Sequence, residues 1–225
     1  MTYRLAVFDM AGTTVSNSDL VVDALVQTLH VHGHVAQPEQ ARALMGYPKP
    51  QAIRILLGEG SAAAADAALV ERMHQEFIGS MVESYRCNPD VAPMPAAEDC
   101  FAALRARGIK VALNTAFSRN IAQVIVERFG WFERGVIDDL IATDEVAAGR
   151  PAPDMIRALM ARHGVGDAAA VLKVGDTEVD IKEGRNAGAG LVVAVTTGAF
   201  DRATLQAYAP DHILDSLAQL PPLLG

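Results

Sequence analysis

The sequence predicts an α/β protein: a parallel β-sheet covered by helices, with a helical segment inserted after the first strand. Three observations carry this. A short apolar run from Leu5 to Asp9 reads as a strand that ends in a Gly-Thr-Thr turn. From Asp19 to about Arg86 the apolar residues fall only at helical spacing. Beyond the Pro- and Asn-containing stretch CNPDVAPMP, strand and helix patterns alternate, the signature of a parallel sheet with helices on both faces.

Each element follows in order. In the helical stretch Leu20, Val21, Ala24, Leu25 and Thr28 line one face, and Ala52, Ile53, Leu56 and Leu57 another; SAAAADAALV is a strong helix former. The alternating part then reads as helix AAEDCFAALRARG, strand IKVALNT, helix SRNIAQVIVERFG and a short strand near DDLIAT. Helix PDMIRALMARHG, strand AVLKVGD, helix VDIKEGRNAG and strand LVVAVTT complete it. The expected organisation is a Rossmann-like core from residues 1–15 and 90–225, carrying an α-helical cap over residues 16–89. Hinges are expected near Ser16–Ser18 and Cys87–Val91.

Composition narrows the function classes. With 225 residues the chain can bury a substantial core, and 51% apolar residues exclude a disordered chain. A net charge of −8 argues against nucleic acid, whose phosphates need clustered Lys and Arg. No apolar run is long enough to span a bilayer, and the N-terminus lacks the features of a secretory leader. Cys87 and Cys100 show no metal-ligand spacing and are expected as two unpaired thiols in a reducing cytoplasm. Neither a membrane nor a nucleic acid is therefore expected as a partner; a homodimer is left open.

In an open parallel sheet, ligands bind outside the carboxyl ends of the strands. Asp9, Thr115 and Asp176 all fall at such ends, with Arg150 in a Gly-Arg-Pro turn between them. A lone Asp there often only caps the next helix; three polar residues with an Arg are harder to dismiss.

The ordered motifs FDMAGTT, Asn114-Thr115, GRPAPD at 149–154 and VGDTEVD at 174–180 resemble those of the haloacid dehalogenase superfamily and frame almost the whole core. The resemblance implies that Asp9 attacks phosphorus and becomes a phosphoaspartate. It also implies that Mg2+ is held by the Asp9 carboxylate, the Ala11 carbonyl and Asp176, and that Thr115 and Arg150 hold the phosphoryl oxygens. Physical chemistry agrees: a divalent cation and a guanidinium offset the repulsion between a carboxylate and an anionic substrate, and oxygen ligands suit magnesium. Asp180, at the start of a helix, reads either as a first-turn carboxylate favoured by the helix dipole or as a group positioning Thr115 or a metal-bound water.

Phosphate-ester hydrolases of the superfamily usually carry a second Asp two positions after the nucleophile, as acid for the leaving alkoxide. Here that position is Ala11, so an ordinary alkoxide would leave poorly. Ala at this place is similar to the phosphonatase (phosphonoacetaldehyde hydrolase) branch, which cleaves a carbon–phosphorus bond through an imine on a cap lysine. LMGYPKPQAI, with Met45-Gly46-x-x-Lys49, resembles that lysine segment. Pro50 suits the start of a helix, placing Lys49 at its N-terminal end, where dipole and burial both disfavour the ammonium. Lys49 thus reads as the imine-forming amine or, more simply, as an electrostatic hook. Met45, Gly46 and Ala116 join Thr115 and Arg150 as expected substrate contacts. Three residues depart from phosphonatase: Ala52 stands where that family has His, and Ala116 and Phe117 stand where its Thr-Gly-Tyr has Gly and Tyr.

The expected substrate is a small phosphonate or a phosphorylated metabolite. A phosphomonoesterase of the phosphoglycolate phosphatase type and a degraded phospho-ligand-binding protein without turnover stay open as alternatives. His30, His32 and His34 straddle a helix end at Gly33 and suit its dipole better than a metal. No G-x-G-x-x-G or Walker-type loop supports a nucleotide.

Overall fold

The computed structural model describes residues 2–16 and 19–225. The chain starts with β1 (Leu5–Phe8), in which Ala6 and Phe8 face one hydrophobic cluster and Leu5 and Val7 a second. A strand buried on both faces needs the continuous apolar run that LAVF supplies. Five helices follow: α1 (Asp19–Val31), α2 (Pro38–Arg42), α3 (Lys49–Leu56), α4 (Ala62–Ala65) and α5 (Ala67–Cys87). The rest alternates as α6 (Ala97–Ala106), β2 (Lys110–Thr115), α7 (Arg119–Phe129), β3 (Asp139–Ala142), α8 (Asp154–Arg162) and β4 (Val171–Gly175). It ends with α9 (Glu178–Ala187), β5 (Leu191–Val195), α10 (Arg202–Gln206), β6 (His212–Leu214) and α11 (Leu220–Leu223).

All strand pairs are parallel, and their order is β3-β2-β1-β4-β5-β6. Chain progression runs outward in one direction from β1 and in the other from β4, so the switch point lies between those two strands. Asp9 and Asp176 follow them directly. The fold therefore brings together two carboxylates that are far apart in sequence.

Two details differ from the sequence expectation. The Ala-rich segment is two helices, because Asp66 turns out of the helix and caps α5, its Oδ1 accepting from Ala68 N and Leu69 N at 3.0 Å. The sixth strand, β6, has three residues, too few for a periodic signal. The helical insertion enters and leaves by neighbouring segments. Ser16 N donates to Ala92 O (2.9 Å), Ala92 N donates to Ser16 Oγ (3.0 Å), and Met94 N donates to Thr14 O (2.8 Å). Of the hinge expected at Ser16–Ser18, Asn17 and Ser18 lie outside the described residues. Cys87 and Cys100 are free, the first exposed and the second buried. Among the described residues no helix is long and apolar enough to cross a membrane.

Candidate active site

The turn after β1 builds the floor of the site. Thr13 N, Thr14 N and Val15 N all donate to Met10 O, folding the chain back sharply. Gly12 makes this possible: its φ is +87°, and a Cβ there would lie 2.7 Å from Asp176 Oδ2 and 2.8 Å from Gly198 Cα. The turn thus packs directly on Asp176. Thr13 Oγ1 donates to Asp176 Oδ1 (2.9 Å), Ala199 N donates to Oδ2 (2.8 Å), and Thr14 Oγ1 donates to the Asp9 carbonyl (2.9 Å).

Behind this floor lies a buried charge network. Arg150 Nη1 donates to Asp9 Oδ1 (2.5 Å), Nη2 to Asn114 O (2.7 Å) and Asn114 Oδ1 (2.6 Å), and Nε to Glu183 Oε2 (3.0 Å). Lys173 Nζ donates to Asn114 Oδ1 (2.6 Å) and lies 3.1 Å from Glu183 Oε2. Asp180 Oδ2 accepts from Thr177 Oγ1 (2.5 Å) in a capping box that starts α9. Asp180 Oδ1 sits 3.0 Å from both Arg150 Nη1 and Lys173 Nζ and is charge-paired with both.

The carboxylates respond to this setting. Burial and the neighbouring Asp9 and Asp180 push Asp176 up to about 8. Burial also raises Asp9, with Arg150 opposing. Asp180 goes the other way: burial disfavours its charge, but Arg150 and Lys173 outweigh burial and hold it below the usual carboxylate range. Burial works against the Arg150 charge too, and Asp180, Asp9 and Glu183 outweigh it, keeping the guanidinium protonated.

Asp9, Asp176 and Asp180 can each offer an oxygen within 4.8 Å of the others. The Ala11 carbonyl accepts no hydrogen bond among the described residues. Three clustered carboxylates and a carbonyl that accepts no hydrogen bond among the described residues fit a hard divalent cation with oxygen ligands.

Above the floor lies a small cavity of about 20 Å³, room for about one water-sized sphere. Asp9, Ala11, Thr115, Ala116, Phe117 and Asp176 line it from the sheet side, and Met45, Gly46 and Lys49 from the helical insertion. Thr115 Oγ1 accepts from Phe117 N (3.1 Å), which leaves its hydroxyl proton for a ligand. Lys49 is the first residue of α3, between Pro48 at the N-cap and Pro50. It is 2% exposed, its Nζ donates to Tyr47 O (3.3 Å), and it lies 5.7 Å from the Phe117 ring centroid. Burial lowers its pKa to about 8, against the opposing pull of Asp9. Gly46 lets the insertion approach the core: a Cβ there would lie 2.5 Å from Thr177 Oγ1 and Val179 Cγ2, and next to it Tyr47 Oη donates to Glu178 Oε1 (2.5 Å).

The structure thus gathers Asp9, Ala11, Met45, Gly46, Lys49, Thr115, Ala116 and Asp176 around one cavity. Two sequence expectations change. Arg150, expected on the phosphoryl oxygens, directs its donors at Asp9, Asn114 and Glu183 and does not line the cavity. Asp180, expected to position Thr115 or a water, is tied instead to Thr177, Arg150 and Lys173. Lys173 and Glu183 were not anticipated; their only signal is a lysine inside the apolar strand AVLKVGD. The histidines at 30, 32 and 34 form no metal cluster among the described residues, and His32 pairs with Glu76 at 2.9 Å.

A family model for haloacid dehalogenase-like hydrolases matches residues 3–188. Phosphonoacetaldehyde hydrolase of Bordetella pertussis is 30% identical, over 97% of this chain and 90% of that protein. Among solved structures, a phosphonoacetaldehyde hydrolase-like protein from Oleispira antarctica is similar with a TM-score of 0.84 and 24% identity, covering 99% of this chain and 91% of its own. A candidate phosphoglycolate phosphatase from Lactobacillus delbrueckii subsp. bulgaricus has a TM-score of 0.80 and 25% identity, with 98% of each chain covered.

Proposed function

The chain belongs to the haloacid dehalogenase-like hydrolases, and within that family we propose that it cleaves the carbon–phosphorus bond of a small aldehyde phosphonate such as phosphonoacetaldehyde. The observation that carries the reading is a pairing across one cavity: Ala11 beside the nucleophile, where no acid is available, and a buried lysine with a pKa near 8 opposite it. The 30% identity to phosphonoacetaldehyde hydrolase supports the same reading. The helical insertion, residues 16–89, is the cap that delivers Lys49.

In this mechanism the Lys49 amine adds to the substrate aldehyde and water leaves, giving a protonated imine. Asp9 attacks phosphorus, the carbon–phosphorus bond breaks, and its electron pair moves into the imine to form an enamine. Protonation at carbon and hydrolysis return acetaldehyde and the free amine, while a second water hydrolyses the phosphoaspartate. The net consumption is one water. Arg150 fixes the Asp9 carboxylate through Oδ1, and the Thr115 hydroxyl donates to a phosphoryl oxygen. Mg2+, held by Asp9, Asp176 and the Ala11 carbonyl, would supply positive charge against the phosphoryl oxygens. An imine-forming lysine needs a population of neutral amine, which burial gives to Lys49.

A second reading has one observation in its favour. Lys49 lies over the Phe117 ring and shares the cavity with no other cation, so it would also hold the carboxylate of a small phosphomonoester such as phosphoglycolate. Phosphate release from the two substrates, with Mg2+, tests the pair. Rapid release from phosphonoacetaldehyde and slow release from phosphoglycolate is expected; the reverse would replace the proposed reaction with the phosphatase one.

A further inference from the structure

The buried network contains a carboxylate with no place in the chemistry above. Glu183 is fully buried, as is Lys173. Glu183 lies three residues after Asp180 on α9, so both carboxylates project from one helix face. The helix lies close on β4 because residue 184 is glycine; a Cβ there would come within 3.1 Å of Lys173 Cβ. The polar partners of Glu183 are all donors. Asn114 Nδ2 donates to both its oxygens (2.8 and 2.9 Å), Arg150 Nε to Oε2 (3.0 Å), and Lys173 Nζ lies 3.1 Å from Oε2.

Burying an ion pair in a sheet core rarely stabilises more than apolar residues of the same volume would, so stability alone gives no reason for Lys173 and Glu183. Geometry does. Asn114 and Arg150 are both fixed by Glu183, and Arg150 in turn holds Asp9. Charge gives a second reason. With Asp9, Asp176, Asp180 and Glu183 ionised, four carboxylates face only Arg150 and Lys173 on this side of the cavity, leaving two negative charges in excess. That excess matches one divalent cation.

We propose that Glu183 is a positioning residue: it orients Arg150, and through it the attacking carboxylate of Asp9, and its charge sets the cluster's two-fold negative excess for a divalent cation. The inference rests on the magnesium and Asp9 roles proposed above, and not on the carbon–phosphorus substrate.

The test uses the full chain, Mg2+ alone as one probe and beryllofluoride as the other. Beryllofluoride caps an aspartate carboxylate as an acyl-phosphate mimic, so fluorine NMR reads the Asp9 geometry without a substrate. Glu183→Gln removes one charge at nearly constant shape and should weaken calorimetric Mg2+ binding by about tenfold or more. Lys173→Met combined with Glu183→Gln restores the two-charge excess and should return Mg2+ affinity to within about threefold of wild type. Glu183→Asp keeps the charge but withdraws the carboxylate by a methylene. It should bind Mg2+ normally and lose beryllofluoride capture about tenfold. A purely structural glutamate would lower melting temperatures while leaving Mg2+ affinity and capture unchanged, and that result would overturn the proposal. If Glu183→Gln fails to fold, the other two variants decide. A double variant binding Mg2+ tenfold more weakly than wild type overturns the charge argument, and Glu183→Asp with normal capture overturns positioning. Failure of the wild type to bind Mg2+ removes the magnesium role itself and this inference with it. Normal binding by wild type and by Glu183→Gln removes only the charge role of Glu183.

Discussion

Replacing Lys49 by methionine should stabilise the ligand-free protein while abolishing its chemistry. Lys49 is fully buried, and its pKa falls from 10.5 to about 8. At pH 7 a shift of that size corresponds to about 3 kcal/mol against the folded state. Methionine has nearly the same length and no charge, so it removes the penalty without leaving a large cavity. It forfeits the hydrogen bond to Tyr47 O, which is worth about 1 kcal/mol, so a net gain of about 2 kcal/mol is expected. The pH dependence identifies the cause. The unfolded chain binds the lysine proton more tightly than the folded one, so the wild type gains stability as pH rises from about 8 to 10.5. Its deficit relative to Lys49→Met should therefore shrink from about 2 kcal/mol at pH 7 towards zero by pH 10. Urea unfolding of both proteins at the two pH values measures the difference, and other titrating groups largely cancel between them. A variant less stable than wild type at pH 7, or a gap that does not change with pH, would refute a lysine whose pKa is lowered by burial.

Three further outcomes follow from the same geometry. Borohydride added with phosphonoacetaldehyde should inactivate the wild type irreversibly and leave a covalent mass on Lys49; Lys49→Arg, whose guanidinium stays protonated, should bind substrate but show neither adduct nor turnover. Ala11→Asp puts a carboxyl group at the cavity wall and should raise phosphomonoester hydrolysis, since general acid catalysis contributes about 10²–10⁴-fold. It should not raise carbon–phosphorus cleavage, and a fall in an already strong phosphomonoesterase would contradict the account of this position. Tyr85→Phe removes a buried hydroxyl that has no hydrogen-bond partner and keeps the ring packed edge-on against Phe117, 5.8 Å between centroids. Its thermal midpoint should hold or rise, whereas a loss above about 1 kcal/mol would mean that the hydroxyl is bonded.

The sheet and its helices were legible because their signals are local. LAVF and LVVAV are continuous apolar runs, and each is buried along its whole length. The helices announce themselves by spacing, and α7 and α9 end at Gly130 and Gly188, both with left-handed backbone. What failed was short or interrupted. Asp66 splits an alanine run because its side chain satisfies two backbone donors better than continuing the helix would. The strand β6 has one buried residue in three, which no periodicity can distinguish from a loop.

The site was legible only where it touches the cavity. Asp9, Thr115 and Asp176 stand at strand ends, so topology alone predicts their convergence. Lys173 and Glu183 stand inside a strand and a helix, and in the sequence Glu183 looks like an ordinary surface charge while Lys173 only interrupts an apolar strand. Only the three-dimensional packing shows that Lys173 points between β4 and α9 at Glu183, and that both meet Arg150 and Asn114. The different placement of Arg150 has the same origin. A guanidinium beside a catalytic carboxylate reads as a phosphoryl clamp until its donors are counted, and here Asp9, Asn114 and Glu183 already engage them. That leaves Lys49 as the one cationic side chain on the cavity wall. On the proposed reading, an anionic substrate is held by Lys49, by the Thr115 hydroxyl and by the divalent cation that the carboxylates would bind. On that same reading an aldehyde phosphonate would use the lysine covalently, and its cleavage would need no acid at position 11.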